Sequence, residues 1–229
     1  MKNTLKKFFC SIISKGHETA DAQDLEKRTL FNEKMRIIES RIHPLNKYNG
    51  EEYAPEQQIE LLEFYKRTIL RSVEADMLNT IVNREDGGVS GTVVMPEYKI
   101  VGEQRIDTNR KDITVLVAPV DQNKILGSIE RESEFDPDKC SELTPTYFPE
   151  LGIVSVGEGG RHSIAEAYVN REPCVIPVIV ADTTDVWDKY TTDGSYWYNV
   201  ENGEEKMVFD YRLAVVFQIQ KMIKELKNK

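Results

Sequence analysis

Along the first third of the chain, apolar residues recur at helical spacing. Leu5, Phe8, Phe9, Ile12 and Ile13 share one helical face. From residue 21 to 42, helix formers carry Leu25, Leu30, Met35 and Ile38. His43-Pro44 closes that stretch, because the residue before proline avoids helical geometry. Asn49-Gly50 marks a turn. After Pro55, the stripe Ile59, Leu62, Ile69, Val73 and Met77 predicts a stronger helix that ends before Asp86-Gly87-Gly88. The period then changes. Residues 89–95 and 113–120 are rich in β-branched side chains between turn-forming clusters and read as strands. Residues 125–129 fit either a short strand or the first turn of a helix. Asp136-Pro137 and Thr144-Pro145 break a polar connection. Next come an apolar run at 153–156, a glycine-rich turn, a helix, and a second β-branched run at 175–180. A hairpin follows, Trp197 to Val200 paired with Met207 to Phe209, because Asn202-Gly203 suits a type I′ turn. A last helix from about Tyr211 has Val215, Ile219, Met222, Ile223 and Leu226 on one face. The expected fold is α+β: a small mixed sheet with packed helices over residues 87–229, plus an N-terminal helical extension over residues 1–86.

The 229 residues allow one ordinary domain with such an extension, and 40% hydrophobic with 30% charged residues fits a soluble globular chain. A net charge of −9 argues against a surface built mainly to hold nucleic acid. Lysines gather at the two ends, Lys2, Lys6, Lys7 and Lys15, then Lys221, Lys224, Lys227 and Lys229. Cys10, Cys140 and Cys174 have no C-x-x-C spacing, so a disulfide framework or zinc knuckle is not expected, and a reducing cytoplasm is the simplest setting. His17, His43 and His162 are too scattered for a zinc site. The start of the chain imitates a signal peptide, but its apolar run is too short for one, and no stretch approaches the ~20 apolar residues of a membrane span. The apolar face from Leu5 to Ile13 suits packing on the rest of the chain or on a second copy, a homo-oligomer through the N-terminal helices. Its flanking lysines also suit an acidic membrane surface.

The chemistry concentrates at Gly157-Glu158-Gly159-Gly160-Arg161-His162-Ser163. A strand, a glycine-rich turn and a helix start gather backbone N–H groups where the helix dipole favours negative charge. Gly159 and Gly160 let a ligand approach the backbone, and Arg161 can grip a phosphate through two charge-assisted hydrogen bonds. His162 can donate to phosphate or move a proton near neutral pH, the one candidate catalytic residue. Ser163 and Glu166 read as a capping box. Gly159, Gly160, Arg161, His162 and Ser163 are therefore the expected phosphate-binding positions. Further on, Asp182 and Asp185 would share a face if helical and could hold Mg²⁺ through water beside a phosphate.

Strand, G-G-R-H-S-I-A-E-A helix (159–167) and I-P-V-I-V-A-D (176–182) resemble the core of the ParB-like and sulfiredoxin-like superfamily. Ala118-Pro119-Val120-Asp121-Gln122-Asn123-Lys124-Ile125 is similar to the start of that domain. The resemblance spans residues 113–182. It implies nucleotide phosphates at the loop and helix N-terminus, CTP as in ParB proteins or ATP as in sulfiredoxins, with Mg²⁺. It places Gly160, Arg161, His162 and Ser163 against them. The departures are informative. Sulfiredoxins carry a catalytic cysteine just before the motif histidine, where this chain has Arg161. ParB proteins usually have arginines where this chain has His162 and Ser163, and the helix-turn-helix domain that follows in ParB is missing. The implied protein is a nucleotide- or phosphate-binding member of a bacterial, plasmid or phage branch, with nucleotide hydrolysis as one activity to consider. The alternatives are a non-enzymatic interaction protein with a degenerate pocket and a ParB-like nuclease.

Overall fold

The computed structural model describes residues 2–42, 53–79, 94–119, 121–130, 136–139, 144–157, 159–172 and 174–228; for residues 2–20, Gln122 and Lys139 it describes the backbone alone. The expected turns at Asn49-Gly50 and Asp86-Gly87-Gly88, the His43-Pro44 stop, most of the expected strand at 89–95, and the side chains of Leu5, Phe8, Phe9, Ile12 and Ile13 lie outside what is described.

The fold is α+β. Among the described residues it comprises six α-helices, a mixed five-stranded sheet and a three-stranded antiparallel sheet. Helix α1 (Lys2–Ile42) runs through both apolar stretches of the N-terminus. Its buried stripe is Phe31, Met35, Ile38 and Ile42, spaced four, three and four, while Leu25 is 66% exposed. Leu25 thus lies off the buried face, six residues ahead of its first member, Phe31. Helix α2 (Pro55–Leu78) opens with proline in its first turn, where a missing N–H costs nothing, and the Gln57 side chain accepts from the Ala54 N–H. It buries Leu62, Leu70, Val73 and Met77.

The larger sheet has the order β1 (Lys99–Asp107), β5 (Val175–Asp182), β3 (Thr146–Phe148), β4 (Ile153–Ser155), β2 (Thr114–Leu116). The β1–β5 and β3–β4 pairs are antiparallel; β3–β5 and β2–β4 are parallel. The expected strand at 113–120 contracts to three residues. Val94 and Met95 are buried but belong to no strand. Residues 122–129 form a helix, α3 (Gln122–Ile129), whose first turn is capped by the Asp121 carboxylate accepting from the N–H groups of Asn123 and Lys124.

Side chains alternate across this sheet, as the pleat requires. Leu116, Phe148 and Ile153 point into a core shared with α1, α2 and α6 (Tyr211–Lys227), whereas Val115, Val154, Ile176 and Val178 pack against Ile164, Ala165 and Ala167 of α4 (Arg161–Val169). One apolar core therefore draws on residues on both sides of residue 87. Helix α6 is its centre: Leu213, Val215, Val216, Phe217, Ile219 and Ile223 are each at most 2% exposed. Each such side chain contributes about 1.5–3 kcal/mol by leaving water. Phe217 lies between Trp187 of the short helix α5 (Val186–Lys189) and Trp197, with both ring centroids 5.0 Å away.

The small sheet runs β6 (Tyr190–Thr192), β7 (Tyr196–Asn199), β8 (Glu205–Met207) as an antiparallel meander. The expected hairpin is β7–β8, but its connection is not a two-residue type I′ turn. Gly203 is left-handed at φ 72 while Asn202 keeps a negative φ, and Asn199 Oδ1 accepts from the N–H groups of Glu201 and Asn202 to stabilise a longer loop. The β6–β7 turn docks on α1. A Cβ built on Gly194 would lie 2.4 Å from Phe31 Cβ, so only glycine fits. Beside it, Ser195 Oγ donates to the Asp24 carbonyl at 2.7 Å, and Arg28 pairs with Asp193 at 2.8 Å.

Candidate site at the start of helix α4

Strand β4 is held between β2 and β3, and the Val156 N–H donates to the Leu116 carbonyl at 2.9 Å, which carries the strand's direction into the glycine-rich turn. Gly160 is left-handed (φ 70, ψ 0) and is the residue from which the helix starts; the Ile164 N–H donates to its carbonyl at 3.0 Å. Glycine takes this conformation without a Cβ penalty. The left-handed turn brings the chain into the helix at Arg161, two residues ahead of Ser163, so the expected capping box does not form. Ser163 is the third helical residue, its Oγ 3.3 Å from Ser128 Oγ of α3, and the Glu166 carboxylate accepts from Asn170 Nδ2 at 2.7 Å. No side chain caps the helix. Glu158 lies outside the described residues.

The structure brings Gly159, Gly160, Arg161, His162 and Ser163 together around one helix start, in different settings. Arg161 has a buried Nε–H with no hydrogen-bond partner. Such an atom costs about 1–3 kcal/mol when left unsatisfied. His162 is 7% exposed, and its Nε2 accepts the Asp121 N–H at 3.2 Å. That bond places the imidazole proton on Nδ1 in the neutral ring. Burial, then the charges of Arg161 and Lys124, hold its pKa below the ordinary histidine value. His162 thus ties the start of α3 to the start of α4 as a neutral acceptor.

Asp182 and Asp185 do not share a helical face. Asp182 ends β5 and accepts from the Thr184 N–H and hydroxyl, while Asp185 precedes α5 and pairs with Lys99 at 2.5 Å. Both line one narrow cleft with Glu97, and the place a cation would take beside Asp185 is held by the Lys99 ammonium. Among the described residues no three His, Cys, Asp or Glu side chains converge as a metal site would need. Cys174 is free and 3% exposed, and burial pushes its thiol pKa up. No helix among the described residues is long and apolar enough to cross a membrane.

A recess of about 520 Å³ opens at the other end of α4, lined by residues that sequence reasoning passed over: Arg71, Glu74, Tyr168, Arg171 and the turn from Thr108 to Lys111. At about 1.5 Å per residue, the nine-residue helix separates it from the Arg161 turn by roughly 14 Å. The two basic residues in the polar run Thr108-Asn109-Arg110-Lys111-Asp112 were the one signal available. In sequence that run reads as an ordinary turn.

Neither the curated proteins nor the solved structures include a match to this chain. A family model does match, over residues 14–229, and on that extent the chain belongs to DUF6710, a family of unknown function.

Proposed function

We propose that the protein binds a phosphate-bearing ligand of the nucleotide class at the turn from Gly159 to Ser163. The observation that carries this reading is the buried Arg161 Nε–H, unpartnered at a helix start that no side chain caps. An anion seated there would satisfy a donor that otherwise has no acceptor, at the end of the helix where the dipole favours negative charge. The order β4–turn–α4–β5 supports the resemblance to the ParB-like and sulfiredoxin-like core, and with it CTP or ATP, with Mg²⁺, as first ligands to test. The scattered cysteines fit a reducing cytoplasm.

Binding is favoured over hydrolysis by a specific observation. His162 Nε2 is engaged by the Asp121 N–H, and the ring is held neutral, so the residue proposed for proton transfer serves instead to position the turn. The test is calorimetric titration of the full chain with CTP, ATP and GTP, with and without Mg²⁺, following nucleotide binding alone. Arg161→Ala should weaken binding by about 1.5–3 kcal/mol, the range of a hydrogen bond to a charged group. Unchanged affinity in a folded Arg161→Ala protein removes the turn from the site.

A further inference from the structure

The recess at the C-terminal end of α4 combines three features that an ordinary surface hollow lacks. Its floor is fixed. Glu74 of α2 accepts the Val115 N–H of the edge strand β2 at 3.0 Å and the Tyr168 hydroxyl at 2.7 Å, and both its oxygens receive Arg71 Nη1, at 2.9 and 2.7 Å. Arg71 also donates to the Tyr168 hydroxyl at 2.6 Å and to the Ile113 carbonyl at 3.2 Å, so three groups hold its guanidinium, from α2, from α4 and from the loop before β2. Such a network gives a rigid platform rather than a mobile side chain.

Its rim carries uncompensated charge. Arg71 is matched by Glu74, and Arg110 is matched by Asp112, with which it makes a two-pronged contact. Lys111 and Arg171 have no ion pair among the described residues, which leaves two positive charges facing one recess in a chain of net charge −9. The negative end of the α4 dipole lies near Arg171, but it amounts to roughly half a charge and does not neutralise two.

Its third feature is the backbone at Arg171. Asn170 closes α4, the Arg171 N–H donates to the Tyr168 carbonyl at 3.2 Å, and the Glu172 N–H donates to the Ala167 carbonyl at 2.9 Å. This is the Schellman arrangement, whose left-handed position is usually glycine. Arg171 occupies it at φ 57, the only described non-glycine residue at positive φ. An arginine there is strained where glycine would not be. The left-handed turn brings its side chain to line the recess opposite Asn109, whose Nδ2 is anchored to the Glu172 carbonyl at 2.5 Å.

We propose that this recess is a second ligand site, independent of the Arg161 turn, and that it takes the phosphate group of a small phosphate monoester. Two unmatched cations call for a group of about two negative charges, which a phosphate monoester concentrates in one tetrahedron near neutral pH and a single carboxylate does not supply. A volume of about 520 Å³ leaves room for a polar organic part of sugar or nucleoside size.

The test is calorimetry on the full chain at fixed ionic strength, with inorganic phosphate, glucose 6-phosphate and, as a carboxylate control, succinate. The phosphate compounds should bind and succinate should not. Arg171→Gly and Lys111→Gln should each weaken phosphate binding about tenfold or more, while Arg161→Ala should leave it within about twofold. Arg171→Gly suits a Schellman turn, so a folding defect will not obscure the result. Binding to Arg171→Gly that equals the wild type overturns the proposal; so does a wild-type chain that takes up neither phosphate compound at millimolar concentration, or takes up succinate equally well. Loss in Arg161→Ala with retention in Arg171→Gly would assign the phosphate to the turn instead.

Discussion

Replacing Arg171 by glycine should make the protein more stable, although it removes a side chain and a charge. At φ 57 the arginine Cβ crowds the following carbonyl, a penalty of about 1–2 kcal/mol for an L-residue in the left-handed region. Glycine avoids that cost but gains freedom in the unfolded chain, which returns about 0.5–1 kcal/mol. These two terms alone give a gain of about 0.5–1 kcal/mol, which is the expectation at high ionic strength. One term runs the other way: a cation at a helix C-terminus contributes about 0.3–1 kcal/mol at low ionic strength. Arg171→Ala separates the two effects, because alanine loses the charge and keeps the strain. The glycine protein should therefore exceed the alanine protein by about 0.5–1 kcal/mol at any salt concentration. In a chain of this size that is about 1–4 °C in Tm. Paired thermal and urea melts of the three proteins, at low and high salt, measure it. If the glycine and alanine proteins melt together, Arg171 is not strained in solution, and the backbone argument for the recess fails.

Two further outcomes follow from groups near α4. His162 is held below its unfolded pKa of about 6.5, so the unfolded chain takes up its proton first as pH falls. The stability it contributes is fully present above about 6.5 and is lost as pH drops from there through the folded pKa; the urea midpoint of the wild type should fall over that window more than that of His162→Gln, and parallel falls would refute the assignment. Cys174 is buried with its thiol pKa raised, so a Cys10→Ser/Cys140→Ser protein should resist an aromatic disulfide reagent until denatured, and rapid stoichiometric labelling of the native protein would contradict this.

The elements most legible in the sequence were those whose burial follows a single period. Helix α6 buries one continuous face and strand β5 buries Ile176, Val178 and Ala181, so their apolar spacing reports their structure directly. Strand β1 gave no such signal. Its nine residues, KIVGEQRID, are exposed except Ile106, and only pairing with β5 makes them a strand. Strands β3 and β6 are three residues each, too short for alternation to register. At the candidate turn, the sequence named the residues that gather at the start of α4 but misplaced the cap. A left-handed Gly160 and a serine cap three residues on are competing ways to start the same helix, and periodicity does not choose between them. The recess was out of reach for another reason. Arg71, Arg110 and Arg171 come from α2, the β1–β2 turn and the end of α4, and nothing local links them.

Helix α6 is made after every other described element, yet it completes the apolar faces of the first two. Phe31 and Met35 of α1 and Leu62 and Leu70 of α2 belong to the same core as Val216, Phe217 and Ile219. The closing contacts therefore join residues more than 140 positions apart, as in the bond from Lys66 Nζ to Gln220 Oε1 at 2.7 Å. Chain entropy must be lost over that whole span before these contacts reward it, which slows folding. A ribosome that has released α1 and α2 has released two helices whose apolar faces wait, uncovered, for some 130 further residues. The first third of this chain thus stays without its apolar partner until α6 emerges and the shared core can close.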